Sequence, residues 1–195
     1  SVSYDFQWNE LRSDMRDFVY PTRYTHLLAA ATSYTWGPLK VLGSCLGSFV
    51  KDHIREIESP KPKRIVSPSA YISVKPFSRP ELYIRAFYKK SFRMPTFNDL
   101  YYADMGNSKL NPENATQYDI GITYSKNRDN GFFRSFSIQT DGYYNNVKNK
   151  IIAYPKGQQF RWTILNLGKV DIHGIDISAQ TTCSPINQLF ITVKT

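Results

Sequence analysis

Along most of the chain apolar and polar residues alternate one for one, the period of a strand whose two faces meet different surroundings. Tyr118, Ile120, Ile122 and Tyr124 interleave with Gln117, Asp119, Gly121 and Thr123, and Leu82, Ile84, Ala86 and Tyr88 with Tyr83, Arg85, Phe87 and Lys89. Phe136, Ile138, Thr140, Gly142 and Tyr144 alternate with Ser137, Gln139, Asp141, Tyr143 and Asn145. Ile175, Ile177 and Ala179 do the same with Gly174, Asp176, Ser178 and Gln180. The pattern predicts an all-β chain of about nine strands, near 2–8, 23–34, 38–51, 67–75, 81–90, 116–125, 133–147, 163–182 and 187–195. A helical stripe is faint everywhere, its best trace running from Leu11 to Tyr20.

The connections between these strands sort by length. Short ones carry turn residues: Thr35-Trp36-Gly37, residues 76–80, 127–131 and Ser184-Pro185-Ile186-Asn187. Long ones, about 9–22, 52–66, 91–115 and 148–162, fall between them in strict alternation. Short turns at one end and long loops at the other are the asymmetry of outer-membrane barrels. A β-sandwich has no reason to gather every long loop at one end. Several strands also exceed the mode of about 5–6 residues for soluble sheets and suit a tilted crossing of a bilayer. The expected architecture is an antiparallel meander forming part of a transmembrane β-barrel, with residues 1–195 as one partial barrel domain. Sidedness separates this from a soluble all-β module binding carbohydrate or nucleic acid. A barrel turns Ile120, Ile122, Ile138, Ile175 and Ile177 to lipid, whereas a sandwich buries them between sheets.

Composition sharpens the picture. Aromatics make up 15% of the 195 residues, with 14 Tyr and 12 Phe, side chains that suit a surface apolar on one side and wet on the other. The longest apolar stretch, Leu27 to Ala31, is far too short for a membrane helix. The net charge of +9 comes from scattered lysines and arginines with only Lys61 to Arg64 approaching a cluster, so no nucleic-acid partner is expected. Cys45 and Cys183 could pair in an oxidising compartment, but two separate half-buried thiols are the simpler expectation. The chain opens on Ser1-Val-Ser-Tyr, already strand-like and without a leader, as a processed chain or an internal excerpt would.

His26, His53 and His173 are isolated and neither cysteine lies at ligand spacing, so no metal site is expected. Nucleophile-elbow, phosphate-loop and dinucleotide signatures do not occur. Asp141, Asp171 and Asp176 sit on strands with nothing to pair them as acid and base. No catalytic residue, no cofactor and no enzymatic activity are expected.

From residue 81 onward the chain resembles the TonB-dependent outer-membrane receptors. The run Leu82 to Tyr101 contains Ser91-Phe92-Arg93-Met94-Pro95-Thr96, then Leu100-Tyr101, similar to that family's S-F-R-x-P-T-x-x-x-L-Y segment. Gly106-Asn107-Ser108-Lys109-Leu110-Asn111-Pro112-Glu113 is similar to its G-N-x-x-L-x-P-E, and Tyr118-Asp119-Ile120-Gly121 follows where the next strand opens. Tyr143 to Ile152, and Asn166-Leu167-Gly168 to Gly174-Ile175-Asp176, resemble two further blocks, Asp176 standing where glutamate is usual. These blocks cover residues 81–179; residues 1–80 fit the barrel pattern without a nameable motif. The resemblance implies a large barrel of 22 strands in the family, with an N-terminal plug, importing a scarce solute (siderophore, cobalamin or oligosaccharide) with energy from the TonB complex. Expected partners are outer-membrane lipid, the rest of the barrel and its plug, the TonB complex through that plug, and the solute. A passive porin-like barrel is the alternative within membranes. The plug and the closing strand are not expected in this chain.

Each motif residue also has a local physical reading. Pro95 and Pro112 fix φ, remove a donor and stop strands; Gly106-Asn107 is a turn dipeptide that tolerates positive φ. Arg93 could meet an anionic solute, but bidentate bracing of its loop against Asp99 or Glu113 is the expected role. Arg85, Lys89, Gln139 and Asp141, with Arg93, fall on the polar, lumen-facing set, where a plug or a solute could meet them. Tyr88, Tyr101, Tyr102, Tyr118 and Tyr124 gather near strand ends. Tyr88, Tyr118, Tyr124 and Tyr144 are candidates for an aromatic belt, sugar stacking being the other use.

Overall fold

The structure, a computed structural model, describes residues 1–195 apart from 15–17, 56–58, 79–80, 103–104, 129–130, 157–160 and 187–188. Among the described residues nine strands form one sheet in sequence order, every neighbouring pair antiparallel. They are β1 (Val2–Glu10), β2 (Thr22–Trp36), β3 (Leu39–His53), β4 (Lys63–Val74), β5 (Glu81–Arg93), β6 (Glu113–Asn127), β7 (Phe133–Lys156), β8 (Arg161–Ile186) and β9 (Leu189–Lys194). One short helix, α1 (Phe97–Tyr101), lies between β5 and β6.

Register carries the period-two pattern across the whole sheet. Ile72 pairs with Ala86, Ala86 with Ile120, Ile120 with Gly142 and Gly142 with Ile175, so these five residues share one face in one row. That face is open: Ile120 is 63% and Ile175 72% exposed, and among the described residues the sheet has no second layer packed on it. The isoleucines therefore do not fill a sandwich core, which removes the soluble-module alternative. The opposite face carries Arg85, Asp119, Asp141, Gln139 and Asp176. In water such an arrangement would leave a large apolar area unburied; against lipid tails it costs nothing.

Several boundaries differ from the sequence pattern, each for a local reason. The first hairpin turns at Gly37-Pro38 rather than 35–37: Trp36 still pairs with Leu39, and Gly37 takes the φ of +53° that a two-residue turn requires. The expected long connection 148–162 is mostly hairpin. β7 and β8 keep pairing from Lys150↔Leu167 to Lys156↔Arg161, because Ile151 and Ile164 are buried under a neighbouring loop. Asn149, at φ +56°, and Pro155 within this stretch weaken its strand signal without breaking the ladder. The turn expected at 184–187 begins inside β8 and its remainder lies outside the described residues. No helix forms among the described residues of 11–20.

Only one hydrophobic core forms among the described residues, and it sits at one end of the sheet, not in its middle. Leu100 and Leu110 from the β5–β6 connection pack with Ile151 and Ile164 of the β7–β8 hairpin, flanked by Tyr101 and Met105. A single-layer wall has nothing to bury within the bilayer, so the only site for a core is where a loop folds back over strand ends.

Candidate functional site

The connection from 94 to 112 lies over the strand ends, and most motif residues in it have an identifiable task. Thr96 caps α1: its hydroxyl accepts from the Asp99 N–H at 3.1 Å, and the Asp99 carboxylate accepts from the Thr96 N–H at 2.9 Å. This capping box makes a five-residue helix possible where propensity alone would not. Leu100 and Leu110 supply the core, and Pro95 is fully buried beneath it. Gly106 does not use positive φ, contrary to the turn-dipeptide reading. A Cβ there would lie 2.6 Å from the Tyr102 nitrogen and 2.7 Å from its carbonyl oxygen, so glycine is required by close backbone approach. Asn107 ties the loop down twice: its amide donates to the Ile164 carbonyl at 3.0 Å, and its side-chain oxygen accepts from the Lys109 N–H at 3.0 Å. Asn111 and Asn166 exchange hydrogen bonds at 2.8 and 3.0 Å.

Ion pairs anchor both ends of this loop. Arg93, the last residue of β5, donates from Nε and Nη2 to the two carboxylate oxygens of Glu113, the first residue of β6, at 3.0 and 3.1 Å. Asp99 lies 3.6 Å from the same guanidinium. Glu113 is 6% exposed and also accepts from the Ile151 N–H at 2.7 Å, with Lys150 Nζ at 3.4 Å, so one carboxylate joins β5, β6 and β7. At the other side Arg23 of β2 makes a bidentate pair with Asp52 of β3, both contacts 2.7 Å. Its remaining nitrogen donates to the Pro95 carbonyl at 2.8 Å, and its guanidinium lies 5.0 Å from the centroid of the Phe97 ring. One loop is thereby pinned across strands β2 to β8. The Tyr101 hydroxyl is buried there without a hydrogen-bond partner among the described residues, and burial pushes its pKa up to about 12.

Arg23 and Asp52 were not among the sequence candidates. Their pairing follows from hairpin register: with the turn at Gly37-Pro38, Arg23 faces Asp52 directly. A turn placed at 35–37 hides this.

Further down the polar face, Arg85 reaches across β6 to Asp141, and Gln139 donates to the same carboxylate at 2.7 Å. The crossing needs Gly121, since a Cβ there would collide with the Asp141 carboxylate and come within 2.9 Å of Arg85 Nε. Gly174 plays a similar part, leaving room for the Tyr143 ring, whose hydroxyl would otherwise stand 2.5 Å from a Cβ. Arg85, Gln139 and Asp141 are thus brought together, beside Asp119 and Asp176, in a recess of about 460 Å³. Lys89 shares their face but is exposed and outside the network. Phe92 stands on the opposite face of β5 from Arg93 and takes no part in the loop.

On the apolar face the tyrosines form rows. Tyr88 and Tyr118 lie 5.2 Å apart between ring centroids, and Tyr118 and Tyr144 6.3 Å. The same face carries Trp8 on β1, Tyr24, Tyr34 and Trp36 on β2, and Tyr124 and Phe136 on β6 and β7. Tyr124 stands further along β6 and pairs with Ile138, apart from the other three candidates, and Tyr101 belongs to α1 rather than to a strand end. From Tyr24 to Tyr34 the strand advances roughly 34 Å at about 3.4 Å per residue. Tilted by about 40°, that spans roughly 26 Å, close to the apolar band of about 25 Å between aromatic girdles in membrane barrels. Cys45 and Cys183 are both free, on β3 and β8.

A single sheet with an apolar, belted face, a polar face and braced loops at one end is the wall of a membrane-spanning β-barrel. Residues 5–192 match the family model described as TonB dependent receptor-like, beta-barrel, and the chain belongs to that family. Two curated relatives are vitamin B12 transporters BtuB: that of Vibrio vulnificus, 33% identical over 88 residues, and that of Photobacterium profundum, 30% identical over 102. These stretches are 45% and 51% of this chain, but 13% and 16% of the relatives. Among solved structures, the copper transporter OprC superposes with a TM-score of 0.71 at 15% identity over 94% of this chain and 32% of its own. The FrpB iron transporter from Neisseria meningitidis (F3-3 variant) gives 0.62 at 16% identity, over 85% of this chain and 24% of its own. At those identities the likeness is one of fold. The chain spans less than a third of the proteins it matches, as part of an outer-membrane barrel.

Proposed function

We propose that this chain is a wall of a receptor that imports a scarce solute across the outer membrane, with energy delivered by the TonB complex through a plug seated inside the barrel. The observation that carries this reading is the family match over residues 5–192. The braced loop 94–112 supports it, because a passive pore has less need of a rim held by two multidentate arginine pairs. In this reading the end bearing that loop faces outward, the face with Arg85, Lys89, Gln139 and Asp141 looks into the lumen toward plug and solute, and Arg93 braces the mouth. The family motif residues Arg93 to Glu113 then serve the shape of the entrance more than contact with the solute.

Cobalamin is the first solute to try, since both curated relatives are vitamin B12 transporters; ferric siderophores and oligosaccharides follow. The test is uptake of labelled cyanocobalamin by cells carrying the parent receptor, with and without TonB. Uptake of one solute class that collapses when TonB is removed is the expected result. Equal entry of unrelated small solutes in both backgrounds would make the barrel a passive pore.

A further inference from the structure

The lipid-facing side of the wall is not uniformly convex in its side chains. Between β4 and β8 a groove of about 870 Å³ runs over Ala70, Ala86 and Gly142, small residues flanked by Ile72, Ile120 and Ile175. At its loop-side end stand Tyr88 and Tyr118. Just beyond them opens a second recess of about 270 Å³, whose lining includes Lys90, Thr116, Asn114 and Lys148.

The second recess exists because β4 leaves β5. Their ladder runs only from Val74↔Ile84 to Ser69↔Lys89, while β3 and β4 stay paired up to Val50↔Lys63. Pro68, with no N–H to give, stands where the strands part. The β5 backbone beyond Lys89 therefore has no ladder partner in β4, at the level where a bilayer passes from tails to headgroups. Lys90 and Lys148 are exposed there and make no hydrogen bond or ion pair among the described residues. Lys148 also faces Lys169 directly across the β7–β8 ladder, a like-charge pair. Lys169 is neutralised by Asp171 at 2.8 Å; Lys148 is not.

An apolar trough ending in two uncompensated cations and unpaired backbone groups has the shape and polarity of a phosphorylated acyl lipid. We propose that this part of the wall binds one lipid A moiety of the outer leaflet, its phosphate between Lys90 and Lys148 and an acyl chain over Ala70, Ala86 and Gly142. The choice of leaflet rests on the outward orientation of the long loops proposed above. Lipid tails fill the trough that small side chains leave, and the phosphate supplies acceptors for both ammonium groups.

The test uses the parent receptor purified from outer membranes in mild detergent, with native mass spectrometry counting bound diphosphoryl lipid A and added phosphatidylglycerol as competitor. Wild type should retain one lipid A that phosphatidylglycerol does not displace. Removing one lysine (Lys90→Gln or Lys148→Gln) should weaken retention roughly fivefold, and removing both should compound the loss. Lys90→Arg with Lys148→Arg should keep it. Gly142→Leu fills the trough with every charge intact, and its Cβ meets nothing nearer than the Ile120 carbonyl at 4.0 Å; it should also lose the lipid. Retention unchanged in both the double Gln variant and Gly142→Leu, or displacement by phosphatidylglycerol mole for mole, overturns the proposal. Orientation is read separately by protease applied to intact cells. A wall that binds no lipid A leaves cleavage of the long loops intact, whereas a wall facing the other way abolishes that cleavage.

Discussion

At the scale of residues, the two arginine pairs at the rim look alike but differ in what their loss should do. Arg93 is 46% exposed at its side chain while Glu113 is nearly buried, so the pair is screened on one side only. Arg93→Ala removes a partly solvated cation and should cost about 1 kcal/mol. Glu113→Ala also orphans the Ile151 N–H and should cost about 2–4 kcal/mol. Both should speed proteolysis of loop 94–112 on intact cells, Glu113→Ala more. If Arg93→Ala instead lowers solute affinity with the cleavage pattern unchanged, Arg93 touches the solute directly. The Arg23–Asp52 pair is buried on both sides, at 11% and 7% exposure. Asp52→Ala strands a buried guanidinium, and about 3–5 kcal/mol of stability should be lost, read as a lower unfolding temperature of the parent barrel. The double change Arg23→Met with Asp52→Leu should recover much of that stability yet still free the loop, since Pro95 and Phe97 lose their anchor. Recovery without increased loop cleavage would show that the anchor is dispensable.

These residues were unequally legible. Glu113 could be named from the sequence because it closes the segment that begins at Gly106, as Arg93 could from the segment that begins at Ser91. Arg23 and Asp52 carry no motif and are joined only by register, which depends on placing the Gly37-Pro38 turn to the residue. Gly121 gave a fainter signal: an isolated glycine within Tyr118 to Tyr124 marks close approach, but only the structure shows that Arg85 and Asp141 are what approach.

At the scale of elements, the strands were readable because lipid and lumen impose unlike faces on every second residue, and that constraint acts locally. The helix and the extended hairpin were not, for the same reason in reverse. α1 is five residues long and owes its existence to the Thr96–Asp99 box and to Leu100 reaching a core made by distant strands. The outer parts of β7 and β8 lie beyond the aromatic row, where no bilayer enforces alternation, and their pairing is fixed by burial of Ile151 and Ile164. Faces can be checked element by element. A spin label at Ile120→Cys of β6 should relax with oxygen, which concentrates among lipid tails, while one at Gln117→Cys should respond to a water-soluble reagent. Equal access of the aqueous reagent to both would contradict the assignment of faces.

At the scale of the whole molecule, nine strands cannot meet around the 22-strand circumference that the resemblance implies, because diameter, tilt and shear are set together for the larger ring. β1 and β9 accordingly stand at opposite edges of the sheet. Each edge presents N–H and C=O groups that are costly in lipid and adhesive in water. The apolar face adds a second liability, since Ile120, Ile122, Ile175 and Ile177 are covered only by tails. The one compact core among the described residues, under loop 94–112, involves four buried side chains and cannot hold a free-standing domain together. A polypeptide of these 195 residues alone should therefore aggregate or pair edge to edge on refolding, and should carry no solute across vesicles, whereas the parent barrel should refold into detergent and resist unfolding on a gel until heated. Size-exclusion chromatography with light scattering reads the difference. A monodisperse, cooperatively melting monomer in plain buffer, with Val2–Glu10 hydrogen-bonded to Leu189–Lys194, would mean that the sheet closes on itself as a small barrel, and the single-wall description would have to be abandoned.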